Sequence, residues 1–158
     1  MHAYVKALVV IPIAVGLVPT DAQAQWVSRI EGSWVLNQEA STCVGTCPLG
    51  LVLTYEDRGG GMFRATFQGG GTRRTTYTAS VNGTDYRLRG LPTGPPPAGG
   101  ARGYSTIALT RVDDYSSNWV VRTNDGVVTA RGTSTVSRDG QTFMRASRGG
   151  SVLVFDRR

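Results

Sequence analysis

The most informative feature of this sequence is the set of reactive side chains that it lacks after residue 24. Its only histidine, His2, and its only lysine, Lys6, both lie before that point. Residues 25–158 therefore contain no Ser-His-Asp or Cys-His nucleophile system, no histidine ligand for zinc or iron and no lysine for a Schiff base. An enzyme built from this segment would depend on carboxylates, tyrosines or arginines alone, and we expect a protein that is not an enzyme.

Two pairs of neighbouring carboxylates, Glu56-Asp57 and Asp113-Asp114, are the candidates for acid–base chemistry on glycosides. Neighbouring residues of a strand point to opposite faces of a sheet, so adjacency in sequence does not make a catalytic dyad. Both pairs stand beside turn signals, and turn formation explains them better. We therefore expect no catalytic residue, no metal site and no cofactor.

Cys43 and Cys47 are the only cysteines of the chain. Their spacing differs from that of a two-spacer redox pair or a haem attachment site, and a zinc site would need further ligands. In an exported protein a structural disulfide is the expected state, and a reduced pair or a redox or metal role is the alternative. So short a ring contributes roughly 2 kcal/mol at most, so its expected effect is to fix the shape of one loop.

The N-terminal segment has the pattern of a secretory signal. Lys6 precedes an apolar run at residues 7–18, and Ala22-Gln23-Ala24 has the small-x-small form of a signal-peptidase site. The run is shorter than the roughly 20 residues that a membrane-spanning helix needs. We predict that residues 1–24 are a cleaved signal peptide and that residues 25–158 form one exported domain without an integral membrane span. An uncleaved N-terminal anchor is the alternative.

Residues 25–158 show the periodicity of strands rather than of helices. Apolar residues alternate at a period of two, as in Phe63, Ala65 and Phe67, and glycine or proline interrupts every stretch with helical spacing. The predicted strands are residues 31–37, 51–56, 62–68, 73–81, 84–89, 104–112, 118–123, 127–137, 141–147 and 152–156. Short turn-forming links join them, and Asn82-Gly83 is a strong two-residue hairpin signal. The proline-rich residues 91–103 cannot join a sheet ladder, so we expect a long loop there.

Links of two to four residues can join only neighbouring antiparallel strands, so the pattern predicts an antiparallel meander. Closure of such a meander removes its two unpaired edges. We therefore predict an all-β fold, a single antiparallel up-and-down β-barrel of about eight to ten strands, with a two-sheet sandwich as the alternative. The opposite faces of the strands carry polar residues such as Arg64, Thr66 and Gln68, which argues against an outer-membrane barrel.

Several segments also carry a resemblance to a known family. They are Gly32-Ser33-Trp34-Val35-Leu36-Asn37, Tyr77-Thr78-Ala79 with Asn82-Gly83-Thr84-Asp85-Tyr86, Thr106-Ile107-Ala108-Leu109-Thr110-Arg111-Val112-Asp113, Thr135-Val136-Ser137-Arg138-Asp139-Gly140-Gln141-Thr142 and Val154-Phe155-Asp156-Arg157. In order and spacing they resemble a group of small exported bacterial lipocalin-like proteins of unknown function. The resemblance implies a lipocalin-like barrel whose closed end is capped by Trp34, and a bacterial periplasmic or secreted location. It transfers no site, and the Cys43–Cys47 insertion and the proline-rich loop depart from it.

The predicted inner face of the barrel carries aromatic residues and, by alternation, three arginines. A buried guanidinium is costly, so each arginine must lie at a barrel mouth, pair with a carboxylate or bind an anionic ligand group. We predict a binding site for a small hydrophobic or amphipathic ligand, in which an arginine holds a carboxylate head group through two parallel hydrogen bonds. The predicted ligand-binding residues are Trp34, Tyr77, Arg73, Arg111 and Arg145. A cavity-free barrel that acts through its loops, as a protein-interaction or inhibitor module of the cell envelope, is the alternative.

The formal net charge of +6 suggests two further kinds of binding partner, nucleic acid and anionic surfaces. Basic residues beside tyrosines could bind single-stranded nucleic acid, but export argues against such a partner. A weak attraction to anionic envelope surfaces, which salt would screen, remains an expectation.

Overall fold

The computed structural model describes residues 20–69, 74–90 and 105–158. Within these ranges one helix precedes ten strands. They are α1 (Thr20–Ile30), β1 (Gly32–Thr42), β2 (Val52–Gly59), β3 (Met62–Gln68), β4 (Arg74–Ala79), β5 (Asn82–Arg87), β6 (Thr106–Arg111), β7 (Ser116–Arg122), β8 (Val128–Val136), β9 (Thr142–Ser147) and β10 (Val152–Arg157). Most of the predicted leader, Arg73 and the predicted proline-rich loop lie outside the described residues.

The strands form one antiparallel sheet that is nearly closed into a barrel. Its strand order is β4-β3-β2-β1-β10-β9-β8-β7-β6-β5, so β10 pairs with β1, and β4 and β5 are the two edges. Among the described residues, one bridge joins β4 to the chain just after β5: the backbone N–H of Thr76 donates to the carbonyl of Arg89 (2.9 Å), and the N–H of Arg89 donates to the carbonyl of Thr76 (2.8 Å). The predicted all-β up-and-down barrel is confirmed.

The seam between β4 and β5 contradicts the hairpin predicted at Asn82-Gly83. Asn82 begins β5 and pairs with Thr110 of β6 rather than with β4. Its side-chain oxygen accepts hydrogen bonds from the backbone N–H of Thr84 and the hydroxyl of Tyr86, both on the same strand. The hairpin prediction is wrong because Asn82-Gly83 lies within β5, where the register against β6 shifts between Asn82 and Asp85 and Gly83 has a positive φ.

Helix α1 covers one end of the barrel and is the element that the sequence did not predict. Trp26, Val27 and Ile30 share one face and are each 1% exposed, packed into the same core as the inward residues of the strands. Gly32 follows the helix with a φ of 116°, a conformation that favours glycine and ends the helix before β1.

The predicted cleavage point after Ala24 lies inside α1. Only residues 25–30 of the helix belong to the predicted mature segment. Six residues are too few to show the repeat of apolar positions by which a helix is recognised in a sequence. On the other side of this point, Gln23 accepts a hydrogen bond from the hydroxyl of Ser80 (2.9 Å). Cleavage itself stays a prediction.

The barrel has two ends that differ in construction. We call the end covered by α1, where the odd-numbered strands begin, the closed end, and the opposite end the open end. Near the closed end lie most of the largest fully buried side chains, which include Trp26, Trp34, Phe63, Phe143 and Phe155. Toward the open end Ile107 and Leu88 are buried, but several other inward apolar residues are only partly buried. These are Leu51, Phe67, Tyr86, Val121, Ala130 and Leu153.

The connection between β1 and β2 lies at the open end and contains the disulfide between Cys43 and Cys47, which confirms the predicted bond. The two Cα atoms lie 5.3 Å apart. Over the described ranges, no helix has the length and apolar character needed to cross a membrane.

Candidate functional site

Arg145 places a positive charge inside the open half of the barrel. It lies on β9 two residues after the buried Phe143, so both side chains share the inner face. Its guanidinium carbon lies 4.7 Å from the ring centroid of Trp119 and 5.1 Å from that of Phe67. A cation is attracted to the negative face of an aromatic ring, so these two rings hold the guanidinium within the barrel.

Arg145 has no carboxylate partner among the described residues, and its guanidinium donates no hydrogen bond to any of them. The ion pairs in the described part of the chain are Arg58–Glu56, Arg111–Asp114 and Arg122–Asp85. The residues opposite Arg145 on the two neighbouring strands are Leu153 and Ser134, which carry no charge. A partly buried cation without a counter-ion is unfavourable, so the site is suited to an anion that comes from outside the chain.

Tyr55 and Tyr77 face the same interior from β2 and β4. Both side chains are buried. Burial raises the pKa of Tyr55, and it raises the pKa of Tyr77 further, well above the ordinary value for tyrosine. The positive charge of Arg145 acts on both pKa values in the opposite direction. Tyr77 and Arg145 both contact Phe67, whose ring centroid lies 5.8 Å from that of Tyr77 and 5.1 Å from the guanidinium carbon.

Trp119 adds a second polar group without a partner. Its indole Nε1 is buried and donates to no acceptor in the described part of the chain, which costs free energy. The ring fits against Gly132, the residue opposite it on β8, where an added Cβ would lie 2.7 Å from the ring. Glycine at this position therefore leaves the space in which Trp119 packs beside Arg145.

Trp34 lies at the closed end and is fully buried. Its Nε1 donates to the carbonyl of Ile30 (2.8 Å), and the guanidinium of Arg157 lies over its ring at 4.2 Å from the centroid. The polar atom of Trp34 is therefore already bonded, and its ring joins α1 to the barrel.

Arg111 also lies at the closed end, where β6 ends. It forms an ion pair with Asp114, and its Nε donates to the carbonyl of Asp113 (3.1 Å). Pairing with a carboxylate is one of the three possibilities that the sequence leaves for this residue. Arg73 lies outside the described residues. Of the predicted ligand-binding residues, the structure brings Tyr77 and Arg145 together and places Trp34 and Arg111 elsewhere.

Sequence reasoning missed Tyr55, Phe67 and Trp119 as neighbours of Arg145. Alternation assigns each of them to an inner face, which is the only signal that the sequence contains. Alternation does not show that β2, β3, β7 and β9 bring these side chains to one place, because that depends on the closure of the sheet.

A separate groove of about 330 Å³ lies outside the barrel at the closed end. It is formed between α1 and the β8–β9 connection, and its lining includes Arg29, Arg138 and Arg157. Arg157 donates hydrogen bonds to three backbone carbonyls there, and the guanidinium of Arg29 lies over the ring of Tyr115 at 4.2 Å. Arg157 is therefore satisfied by backbone carbonyls, whereas Arg29, like Arg145, contacts an aromatic ring and has a buried Nε without a hydrogen-bond partner among the described residues.

No family model matches this chain, and neither a curated protein nor a solved structure matches it. The relationship to lipocalin-like proteins therefore stays a prediction from the resemblance.

Proposed function

We propose that this protein is an exported, non-enzymatic, lipocalin-like barrel that binds a small amphipathic molecule with an anionic head group, such as a carboxylate. One observation carries the proposal: the guanidinium of Arg145 lies against Phe67 and Trp119 on the inside of the barrel, without a counter-ion among the described residues. The sequence pattern of a secretory signal supports export.

The chemistry of the site suggests how such a ligand binds. The guanidinium fork offers two parallel N–H donors to a carboxylate, and the unpartnered Nε1 of Trp119 belongs to the ring that Arg145 contacts. Partly buried apolar side chains line the same half of the barrel and would contact an alkyl chain, among them Leu51, Val121 and Leu153. A charge-assisted hydrogen bond contributes about 1.5–3 kcal/mol, which alone is weaker than millimolar binding. The apolar chain must therefore provide most of the affinity.

This arrangement favours ligand binding over a cavity-free barrel that acts only through its loops. In a barrel that merely fills its interior, an uncharged residue would pack at this position without the cost of desolvation, which the attraction of the guanidinium to two aromatic rings must otherwise offset.

A pair of matched probes tests the proposal: dodecanoate and dodecan-1-ol, which share one alkyl chain and differ in charge. Calorimetric titration is expected to give tighter binding of dodecanoate. Arg145→Gln should weaken dodecanoate binding about 10- to 100-fold, because it removes the charge-assisted bonds, and leave dodecanol binding unchanged.

Arg111→Gln is the control, since Arg111 is ion-paired at the closed end and should not affect either probe. Equal binding of dodecanoate by the protein and by Arg145→Gln would refute the proposal. So would the absence of any bound amphiphile in native mass spectra of both the purified and the dodecanoate-treated protein.

A further inference from the structure

The open end of the barrel exposes large apolar side chains on two of its connections. Val44 (71% exposed) and Leu49 (67%) lie between β1 and β2, and Val127 (57%) and Val128 (47%) lie where β7 connects to β8. The remaining exposed large hydrophobic residues of the described ranges are Val112, at the closed end, and Met144, on the barrel wall. Exposed apolar residues that cluster in one region, rather than scatter singly, indicate a contact surface.

The β9–β10 turn joins these two connections into one surface. The backbone N–H of Val44 donates to the hydroxyl of Ser151 (3.0 Å), and a Val44 methyl lies 3.3 Å from where a Cβ on Gly150 would be. On the other side, the N–H of Arg148 donates to the carbonyl of Arg131 (2.9 Å) on β8. We call the exposed side chains of this continuous arc the open rim, which consists of Val44, Leu49, Val127, Val128, Arg131 and Arg148.

Charge is unequally distributed between the two ends of the barrel. The described charged residues of the open half are Arg74, Arg87, Arg89, Arg122, Arg131, Arg145 and Arg148, against Glu39, Asp85 and Asp125. From residue 23 onward, those of the closed half are Arg29, Arg58, Arg64, Arg111, Arg138, Arg157 and Arg158, against Glu31, Glu56, Asp57, Asp113, Asp114, Asp139 and Asp156. The closed half is thus balanced and the open half is positive. Arg131 and Arg148 are exposed and take part in no ion pair within the described ranges.

We propose that the open rim docks onto the surface of an anionic phospholipid bilayer. The valine and leucine side chains would enter the headgroup layer while Arg131 and Arg148 contact lipid phosphates, a combination typical of proteins that lie on membranes. This inference goes beyond the ligand-binding proposal and does not depend on it. In this orientation the open end of the barrel faces the membrane, so that an amphipathic molecule could pass between the bilayer and the interior.

The composition of the open rim favours lipid over the other partners that a basic apolar surface could bind. Protein interfaces are enriched in aromatic residues, methionine and arginine, and the rim has arginines but neither an aromatic residue nor a methionine. A symmetric contact with a second copy would bring arginine against arginine, which is repulsive. Nucleic acid attracts the arginines but offers no favourable environment to exposed valine and leucine side chains.

Vesicle co-sedimentation tests the proposal with two lipid compositions, phosphatidylglycerol mixed with phosphatidylcholine and phosphatidylcholine alone. We expect binding to the anionic vesicles only, and weaker binding at high salt. The double substitution Arg131→Gln and Arg148→Gln should reduce partitioning about 30-fold. Val44→Ser with Leu49→Ser should reduce it about tenfold, because apolar contact with the headgroup layer is lost.

The closed end provides matched controls in an exposed arginine and an exposed valine. Arg138→Gln and Val112→Ser should each leave partitioning unchanged. Absence of binding to anionic vesicles, or equal losses in the closed-end variants, would overturn the proposal. Self-association without lipid that is abolished by Val44→Ser would overturn it in favour of a second copy. Arg145→Gln should still bind vesicles, which separates this test from that of the ligand site.

Discussion

Two inward arginines on neighbouring strands occupy similar positions at opposite ends of the barrel. Arg157 lies over the ring of Trp34 at 4.2 Å from the centroid, and Arg145 lies over the ring of Trp119 at 4.7 Å. Their other partners differ completely. Arg157 uses Nε, Nη1 and Nη2 to donate to the backbone carbonyls of Gly140 (2.6 Å), Glu31 (2.7 Å) and Arg29 (2.7 Å). Within the described residues, Arg145 donates to none.

Helix α1 explains the difference. The carbonyls at the C-terminal end of a helix have no partner within it and carry partial negative charge, and the guanidinium of Arg157 lies among them. Both groups are therefore satisfied by the fold. No helix of the described ranges covers the open end, so Arg145 meets aromatic rings without an acceptor. At the closed end, Arg157 stabilises the fold, whereas at the open end Arg145 is available to bind a ligand.

The largest expected difference in stability between the two ends comes from truncating Trp26, which fills the closed end. Trp26→Ala should lower the free energy of unfolding by about 3–5 kcal/mol, because it leaves a cavity where a fully buried ring packs. Urea denaturation measures this loss. Leu51→Ala, at the partly exposed lining of the open half, should cost less than half as much. If Trp26→Ala cost no more than Leu51→Ala, α1 would not contribute to the folded barrel.

The two arginines themselves give the next largest effect. Arg157→Gln should reduce the free energy of unfolding by about 3 kcal/mol, since it leaves the carbonyls at the end of α1 without their donors. Arg145→Gln should be neutral or slightly stabilising, because it removes a partly buried charge that has no counter-ion in the described structure. Chemical denaturation of the two variants measures both changes in the free energy of unfolding. Similar losses would mean that Arg145 is a structural residue like Arg157.

The tyrosine pair predicts a loss of stability at alkaline pH. Burial raises the pKa of Tyr55 and Tyr77 in the folded state, while both have an ordinary pKa of about 10 in the unfolded chain. Below pH 10 both states keep the protons, and above it the unfolded state loses them first, so unfolding becomes easier as pH rises. At pH 11 the loss should be about 2 kcal/mol.

Thermal unfolding from pH 8 to pH 11 measures this dependence. The predicted mature segment contains no lysine, so no lysine transition overlaps it. Tyr55→Phe with Tyr77→Phe should flatten the profile. A profile as steep as that of the unmodified protein would show that other groups cause the loss.

The sequence predicted the fold well because the signals for it are local. Alternation and turn glycines identify a strand from its own residues, and residues 62–68 were predicted with the bounds that β3 has. Gly60 and Gly61 form the predicted turn before it, each with a positive φ. Helix α1 escaped prediction because it straddles the predicted cleavage point. The Asn82-Gly83 hairpin was wrong because these residues lie in an irregularity of β5 opposite β6, where the positive φ of Gly83 is used within the strand.

The candidate site was predicted only in part, because the residues that contact each arginine are determined by how the sheet closes. The pairing of Arg111 with Asp114 spans three residues and could be foreseen from the turn after β6. The surroundings of Arg145 could not, since Phe67 and Trp119 come from strands far apart in sequence. Alternation indicated which way Arg145 faces, and only the register showed that no described carboxylate meets it.

The disulfide should have the smallest effect on stability and the most local one. Its ring spans only the residues from Cys43 to Cys47, so Cys43→Ser with Cys47→Ser should cost about 2 kcal/mol at most, measured by denaturation. The same substitution frees the backbone around Val44 and should weaken vesicle binding more than it affects dodecanoate, because Arg145 lies on a different strand. Reducing agent should reproduce both effects in the unmodified protein and change nothing in the double variant. An equal loss of dodecanoate binding would mean that the disulfide loop helps to form the ligand site, so that rim and interior act as one surface.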